Sequence, residues 1–206
     1  MSGSRLHDDE ARILAALERQ HAGPKAFRAM SAPVWRAGQL SEKDKHLVAV
    51  AIAQVTRCAF CIEHHAALAR RCGASEQEAL AVSYLSAALE ALGDAVVSLD
   101  GGRLAIADEA ALRDSEIARA RLRFAQAAFD TEALAPALVW VVAAAAAYTQ
   151  SNEARRQVFQ EAALATPGAR EALDEAYAIA VVLRAGAVYA HTLHVADAFR
   201  DAPGPA

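Results

Sequence analysis

Three observations predict an all-α protein. First, 55% of the 206 residues are hydrophobic but only 6% are aromatic. Alanine, about a quarter of the chain, fills the difference and is the strongest intrinsic helix former. Second, β-branched and aromatic residues are too few for an extended sheet architecture. Third, apolar positions recur at three- and four-residue spacing between clear start and stop signals. Charged residues make up 22%, a globular rather than disordered composition. The length suits one domain or two small ones.

The elements follow in order. Ile13, Leu14 and Leu17 give residues 8–22 a helical pattern, stopped by Gly23-Pro24. Ser41 to Asp44 resembles a capping box and opens a helix through Leu47, Val50 and Ile52 to about Val55. Thr56 is placed to cap the next helix, which ends at Gly73. Ser75 with Glu78 is a cleaner capping box, for a helix running to Gly93. Gly101-Gly102 reads as a hinge, with a helical pattern from Ala105 to Phe129. In the second half Thr131 precedes an alanine-rich helix over 134–149, and Ser151-Asn152 can cap one over 153–165. Thr166-Pro167 offers a cap followed by a first-turn proline. A last helix is expected through Tyr177, Val181 and Gly186 towards Phe199, with a frayed tail over 201–206.

The halves also align with each other. At an offset of 93 residues Thr56 meets Thr149, Glu78 meets Glu171, Tyr84 meets Tyr177 and Gly93 meets Gly186. Alanine matches carry little weight in such a chain, so the Glu, Tyr and Gly matches make the case. The expectation is a degenerate tandem repeat. Residues 1–100 hold an N-terminal extension and one helical core; residues 101–206 hold a linker helix and a second. Cys58 and Cys61 fall opposite Ser151 and Ala154, so only the first copy keeps the thiols.

Charge narrows the partners. The 21 basic and 25 acidic residues give a net charge of −4, and the basic ones are scattered. Nucleic-acid binders gather Lys and Arg on one face, so none is expected as a partner. Met1 to Glu10 is polar and acidic, unlike a secretory leader. The most lipid-like run, Ala133 to Tyr148, is alanine-dominated and broken by Pro136, which reads as a buried helix. No membrane partner is expected, and the location is expected to be cytoplasmic. Three cysteines, an odd number, do not suggest a disulfide framework.

The chemistry concentrates in Cys58-Ala59-Phe60-Cys61-Ile62-Glu63-His64-His65, a CxxCxxxH pattern. On a helix Cys61 lies beside Cys58 on one side and His65 on the other. With Thr56 as cap, both thiols sit in the first turns, where free N–H groups and the helix dipole favour a thiolate. His65 can accept the thiol proton and hold it as an ion pair. A second thiol one turn away can resolve a sulfenic acid into a disulfide. Thioredoxin places its CxxC in a strand–helix unit, and no strand pattern precedes Cys58.

The stretch from Lys45 to Gly93 contains His-Leu-Val-Ala-Val-Ala, the CxxCxxxH segment, and Cys-Gly-Ala-Ser-Glu-Gln-Glu-Ala. It resembles the AhpD-like branch of the carboxymuconolactone decarboxylase family. Leu183 to His191 is similar to the end of such a core, in keeping with a repeat. The resemblance implies an all-α helical bundle, trimeric or hexameric homo-oligomers, and thiol-dependent peroxidase or disulfide-reductase activity. By that resemblance Cys61 would attack peroxide, Cys58 would donate a proton and resolve, and His65 would serve as the relay base. The family's usual glutamate twelve residues before the first cysteine is His46 here. That histidine would join the relay, with Glu42 or Glu63 as substitute carboxylates. True lactone decarboxylases typically lack the cysteine pair, which disfavours decarboxylation. The implied partners are a hydroperoxide or disulfide substrate and an unidentified thiol reductant, with no cofactor.

Two readings of other kinds stand beside this one. His46, Cys58, Cys61 and His65 could form a structural Cys₂His₂ zinc set. Alternatively the chain is a helical interaction module without chemistry. His64 points off the Cys61–His65 face and is expected at solvent or an interface. Cys72 reads as a small buried residue. His191 and His194, on the last helix, read as packing or surface residues.

Overall fold

A computed structural model describes residue 12 and residues 15–107, 112 and 115–200. The opening of the expected 8–22 helix and the tail over 201–206 lie outside the described residues. Residues 15–20 are helical, and after His21 the chain enters α1 (Ala22–Ser31). Gly23-Pro24 therefore restarts a helix, because a first-turn proline lacks only an N–H that the helix does not use. A 3-10 turn (Ala32–Trp35) leads to α2 (Glu42–Val55), α3 (Ala59–Arg71) and α4 (Glu76–Ala91). Strands β1 (Val96–Asp100) and β2 (Arg103–Ala107) follow, then α5 (Glu116–Phe129), α6 (Pro136–Thr149) and α7 (Glu153–Leu164). The chain closes with α8 (Ala169–Ala190) and α9 (Thr192–Arg200). At 74% helix the fold is the helical bundle that the composition predicts.

Caps written in local sequence form as expected. Ser41 accepts from the Asp44 amide, and Ser75 and Glu78 make both reciprocal bonds of a capping box. Asn152 accepts from the Arg155 amide at the start of α7.

Three expectations fail at turns. Gly101-Gly102 is not a hinge before a helix: both glycines have positive φ, and the residues around them pair as an antiparallel hairpin from Val96↔Ala107 to Asp100↔Arg103. Two residues with φ above zero make the turn that suits the twist of paired strands. The alternation Val97/Leu99 and Leu104/Ile106 turns one face of the hairpin inward. Thr166-Pro167 does not cap α8 either. Ala169 N–H bonds back to Thr166 O, and Gly168 takes φ 78°, ψ 0°, so these residues form a type II turn with Gly168 as the N-cap. Finally, the last helix is not continuous to Phe199 but divides at His191.

Two helices form the centre. In α2 every residue from Leu47 to Ala53 is at most 2% exposed, and in α6 Val142 to Ala147 are fully buried. Helices apolar on every side belong inside, and alanine lets their neighbours approach closely. α3 and α4 pack on α2, while α7 and α8 pack on α6. Contacts of α2 with α6 and α8, and of α4 with α6, join the two groups. By length and composition Ala169–Ala196, rather than the 133–148 run, is apolar enough to cross a membrane. In this fold Leu173, Ala176, Ile179, Ala180 and Leu183 face the core instead.

The turns entering α3 and α7 share one geometry. Arg57 and Ser151 are the non-glycine residues with positive φ, at 56° and 58°, among the described residues. Cys58 N–H donates to Ala53 O, and Asn152 N–H donates to Ala147 O. Each of these two residues then caps its helix through its side chain. This correspondence is one residue longer than the 93-residue offset, which places Asn152 and Arg155 opposite Cys58 and Cys61. Beyond Gly93 and Gly186 the paths part, the first into the hairpin and the second along α8.

Candidate functional site

The α2–α3 turn positions the cysteines. Thr56 ends α2, its hydroxyl donating to Ala53 O, and so does not cap α3. The left-handed Arg57 reverses the chain and puts the next residue in an extended conformation, which makes Cys58 the N-cap. Cys58 Sγ accepts from the Cys61 amide at 3.3 Å. The two cysteines are joined as a disulfide, with Cα atoms 5.3 Å apart, and both are buried. Their sulfurs are bonded to each other, so the Cys₂His₂ zinc set has no thiolate to offer in this state. Reduction would free Cys58 Sγ at a helix N-terminus, where a thiolate is stabilised.

One turn on, His65 packs into a cluster of rings. His65 Nδ1 lies 3.2 Å from His46 Nδ1, so one imidazole donates and the other accepts. The Trp35 ring covers both, with centroids 5.0 Å from His46 and 5.1 Å from His65. His64 stands edge-on to His65 at 5.0 Å. Burial first, then the neighbouring His64 and His46, lower the His65 pKa to about 3. Burial also lowers His46, opposed by the Glu42 carboxylate one turn before it. With the disulfide in place, His65 is therefore neutral near pH 7 and does not hold a proton as a standing ion pair. Glu42 and Glu63 are both exposed, and of the two it is Glu42 whose charge acts on His46.

A cavity of about 200 Å³ opens onto this cluster. α3 supplies Phe60, Cys61, His64 and His65; Phe27, Ser31 and Trp35 come from α1 and the turn after it. The far wall is α8, through Val182, Leu183, Gly186, Tyr189 and Ala190. The cavity meets Cys61 and not Cys58. His64, partly exposed, lines it too, because α1 and α8 extend beyond the Cys61–His65 face. Gly186 keeps the wall low: a Cβ there would meet Phe27 Cζ at 3.4 Å.

Residues that no local pattern marks hold the roof in place. Lys45, 3% exposed, donates to the carbonyls of Val34 at 3.0 Å and Arg36 at 2.5 Å, and meets Glu175 at 3.0 Å. Glu175, on α8, also accepts from the amides of Gln39 and Leu40. Burial raises the Glu175 pKa, but Lys45 and the two amides outweigh it, and the net shift is downward. The segment carrying Trp35 is thus tied to the second half of the chain.

The remaining candidates lie apart from the cavity. Cys72 is half-buried as the C-cap of α3, near Glu42, and burial first and then the Glu42 carboxylate raise its thiol pKa. His191 and His194 are exposed, their rings 6.0 Å apart.

The family model described as carboxymuconolactone decarboxylase family matches residues 22–100, which span α1 to β1 and include Cys58, Cys61, His46 and His65. The chain is 41% identical over 66 residues to a Paracoccus denitrificans protein described as "Uncharacterized protein 4 in cox locus". That alignment covers 32% of this chain and 60% of the relative's length. No solved structure matches the chain. A motif and a helical site within those bounds make residues 22–100 a carboxymuconolactone decarboxylase family domain, of the AhpD-like kind.

Proposed function

We propose that the protein is a thiol-dependent oxidoreductase that reduces organic hydroperoxides, cycling between the Cys58/Cys61 dithiol and its disulfide. Members of this family are often peroxidases. The observation that carries the reading is a cysteine pair at a helix start whose second member alone meets an aromatic cavity beside two histidines.

The chemistry balances as follows. The Cys61 thiol gives its proton to the His65–His46 pair, and the thiolate attacks the distal peroxide oxygen. The O–O bond breaks, Cys61 becomes a sulfenic acid, and the departing alkoxide takes the proton back to leave as an alcohol. Cys58 sulfur then attacks Cys61 sulfur; the S–O bond breaks, the S–S bond forms, and water leaves. An external dithiol restores the pair by exchange. His46 and Glu42 carry protons between His65 and the surface, the part a single glutamate would otherwise take.

Reduced protein treated with an organic hydroperoxide is expected to lose two of its three thiols, leaving Cys72 free. Thiol titration reads the count, and a mass decrease of about 2 Da marks the new disulfide. Unchanged thiols with excess hydroperoxide would refute the reading. The cavity adds a second expectation: Gly186→Leu fills the wall opposite Cys61. Its rate with a bulky aromatic hydroperoxide should fall about tenfold while that with hydrogen peroxide holds. Equal losses with both substrates would show that the cavity does not select.

The same reading takes residues 101–206 as a degenerate second copy of the core. The shared turn geometry before α3 and α7 supports it. In that register the place of Cys61 is held by Arg155, 3% exposed, donating to Leu89 O and Gly93 O. The second copy would then serve as scaffold and cavity wall.

A further inference from the structure

We propose that Glu42, His46 and Cys72 form a binding site for a borderline-soft divalent cation of the zinc class, separate from the Cys58/Cys61 dithiol. Glu42 and His46 lie one turn apart on one face of α2. α3 runs back along α2, which brings its C-cap, Cys72, beside the start of α2. One ligand atom from each residue lies within 4.8 Å of the other two.

The donor set is what identifies the ligand class. A thiolate, an imidazole and a carboxylate together suit zinc, whereas magnesium and calcium take oxygen ligands. Zinc–ligand lengths in a tetrahedron put neighbouring ligand atoms about 3.3–3.6 Å apart. The three atoms would draw together on binding, and the exposed Glu42 side chain has the most room to move. Three protein ligands leave the fourth position to water.

Two further features prepare the site. The His46 ring is already fixed by Trp35 above it and His65 beside it, so little ordering remains for a cation to impose. The Cys72 sulfur already stands beside the Glu42 carboxylate. Cation binding replaces the thiol hydrogen: the S–H bond breaks, a sulfur–metal bond forms, and one proton leaves to solvent. Nothing in this step uses the dithiol, although a bound cation would occupy the Glu42 and His46 that the peroxidase reading gives to the proton relay.

Cobalt(II) titration of the full chain tests the proposal, after chelator treatment and with Cys58–Cys61 oxidised so that only Cys72 can supply a thiolate. One cobalt per chain is expected, with a near-ultraviolet thiolate-to-cobalt band that zinc abolishes by displacement. Cys72→Ser should remove the band, and Glu42→Gln should weaken binding by about tenfold or more. The Cys58→Ser/Cys61→Ser double variant should bind as the unmodified protein does. Thermal melts without metal check that each variant is folded, and Glu42→Gln decides the matter if Cys72→Ser is not. No stoichiometric uptake, undiminished uptake in Cys72→Ser or Glu42→Gln, or uptake confined to the reduced dithiol would each overturn the proposal.

Discussion

Cys61→Ser is expected to reduce hydroperoxide turnover to background, a loss of about 10³-fold or more. The cavity meets this sulfur and not that of Cys58, and a serine hydroxyl does not ionise in its place. Cys58→Ser should behave differently. Its Cys61 can still attack once, so a single equivalent of hydroperoxide is consumed and a sulfenic acid accumulates, trappable by a carbon nucleophile. Cycling stops there because no resolving thiol remains one turn away. The order of roles is open to direct refutation, since the Cys61 amide bonds to Cys58 Sγ and favours a thiolate at Cys58 as well. If Cys58→Ser abolishes the first turnover while Cys61→Ser forms the trapped adduct, the two roles are exchanged. Mass spectrometry of the adducts distinguishes the outcomes.

The parts of the fold that were legible in the sequence are those decided within four residues. Ser41, Ser75 and Asn152 cap helices because a short polar side chain reaches an amide three positions on, and nothing distant competes. The pairing of Cys58 with Cys61, and of Cys61 with His65 on one face, follows from helical spacing in the same way. Where φ decides, the residues spoke less clearly. Arg57 gives no hint of a left-handed conformation, yet that conformation moves the α3 cap from Thr56 to Cys58. The Gly101-Gly102 turn was visible as a break, but five-residue strands between alanine-rich helices were too short to change the apparent period.

The surroundings of the site were the least legible because they come from far along the chain. Trp35 and Glu175 are 140 positions apart, and only the packed fold brings them to the same segment. His64 illustrates the limit from the other side. Helical geometry correctly puts it off the Cys61–His65 face, but whether that direction holds solvent or a cavity depends on α1 and α8. His46 was legible as a departure from a motif. Its consequence, a pair of stacked imidazoles under a tryptophan, was not.

The largest effect expected outside the cysteines is at Glu175. Glu175→Ala leaves the Lys45 ammonium, 3% exposed, with two carbonyls and no counter-charge, and removes the acceptor for the Gln39 and Leu40 amides. Breaking a buried pair from one side costs about 3–5 kcal/mol; the Glu175 side chain is 22% exposed, which reduces this to about 2–3 kcal/mol. Glu175→Gln keeps an oxygen for the amides and should lose less. Because the same segment carries Trp35, both variants should also loosen the roof over His46 and His65, so turnover falls with stability. The effect has a definite pH signature. The folded-state pKa of Glu175 is lowered, so its stabilisation is fully present above the unfolded carboxylate value, about 4.3. It is lost as pH falls through the lower folded value, when the folded state also takes up the proton. Melting temperatures of the unmodified protein and Glu175→Gln should therefore differ most near neutrality and converge as pH drops below about 4. A difference that stayed constant down to strongly acidic pH would show that the carboxylate's charge is not what holds the segment. Unchanged turnover in a destabilised Glu175→Ala would separate the roof from the chemistry beneath it.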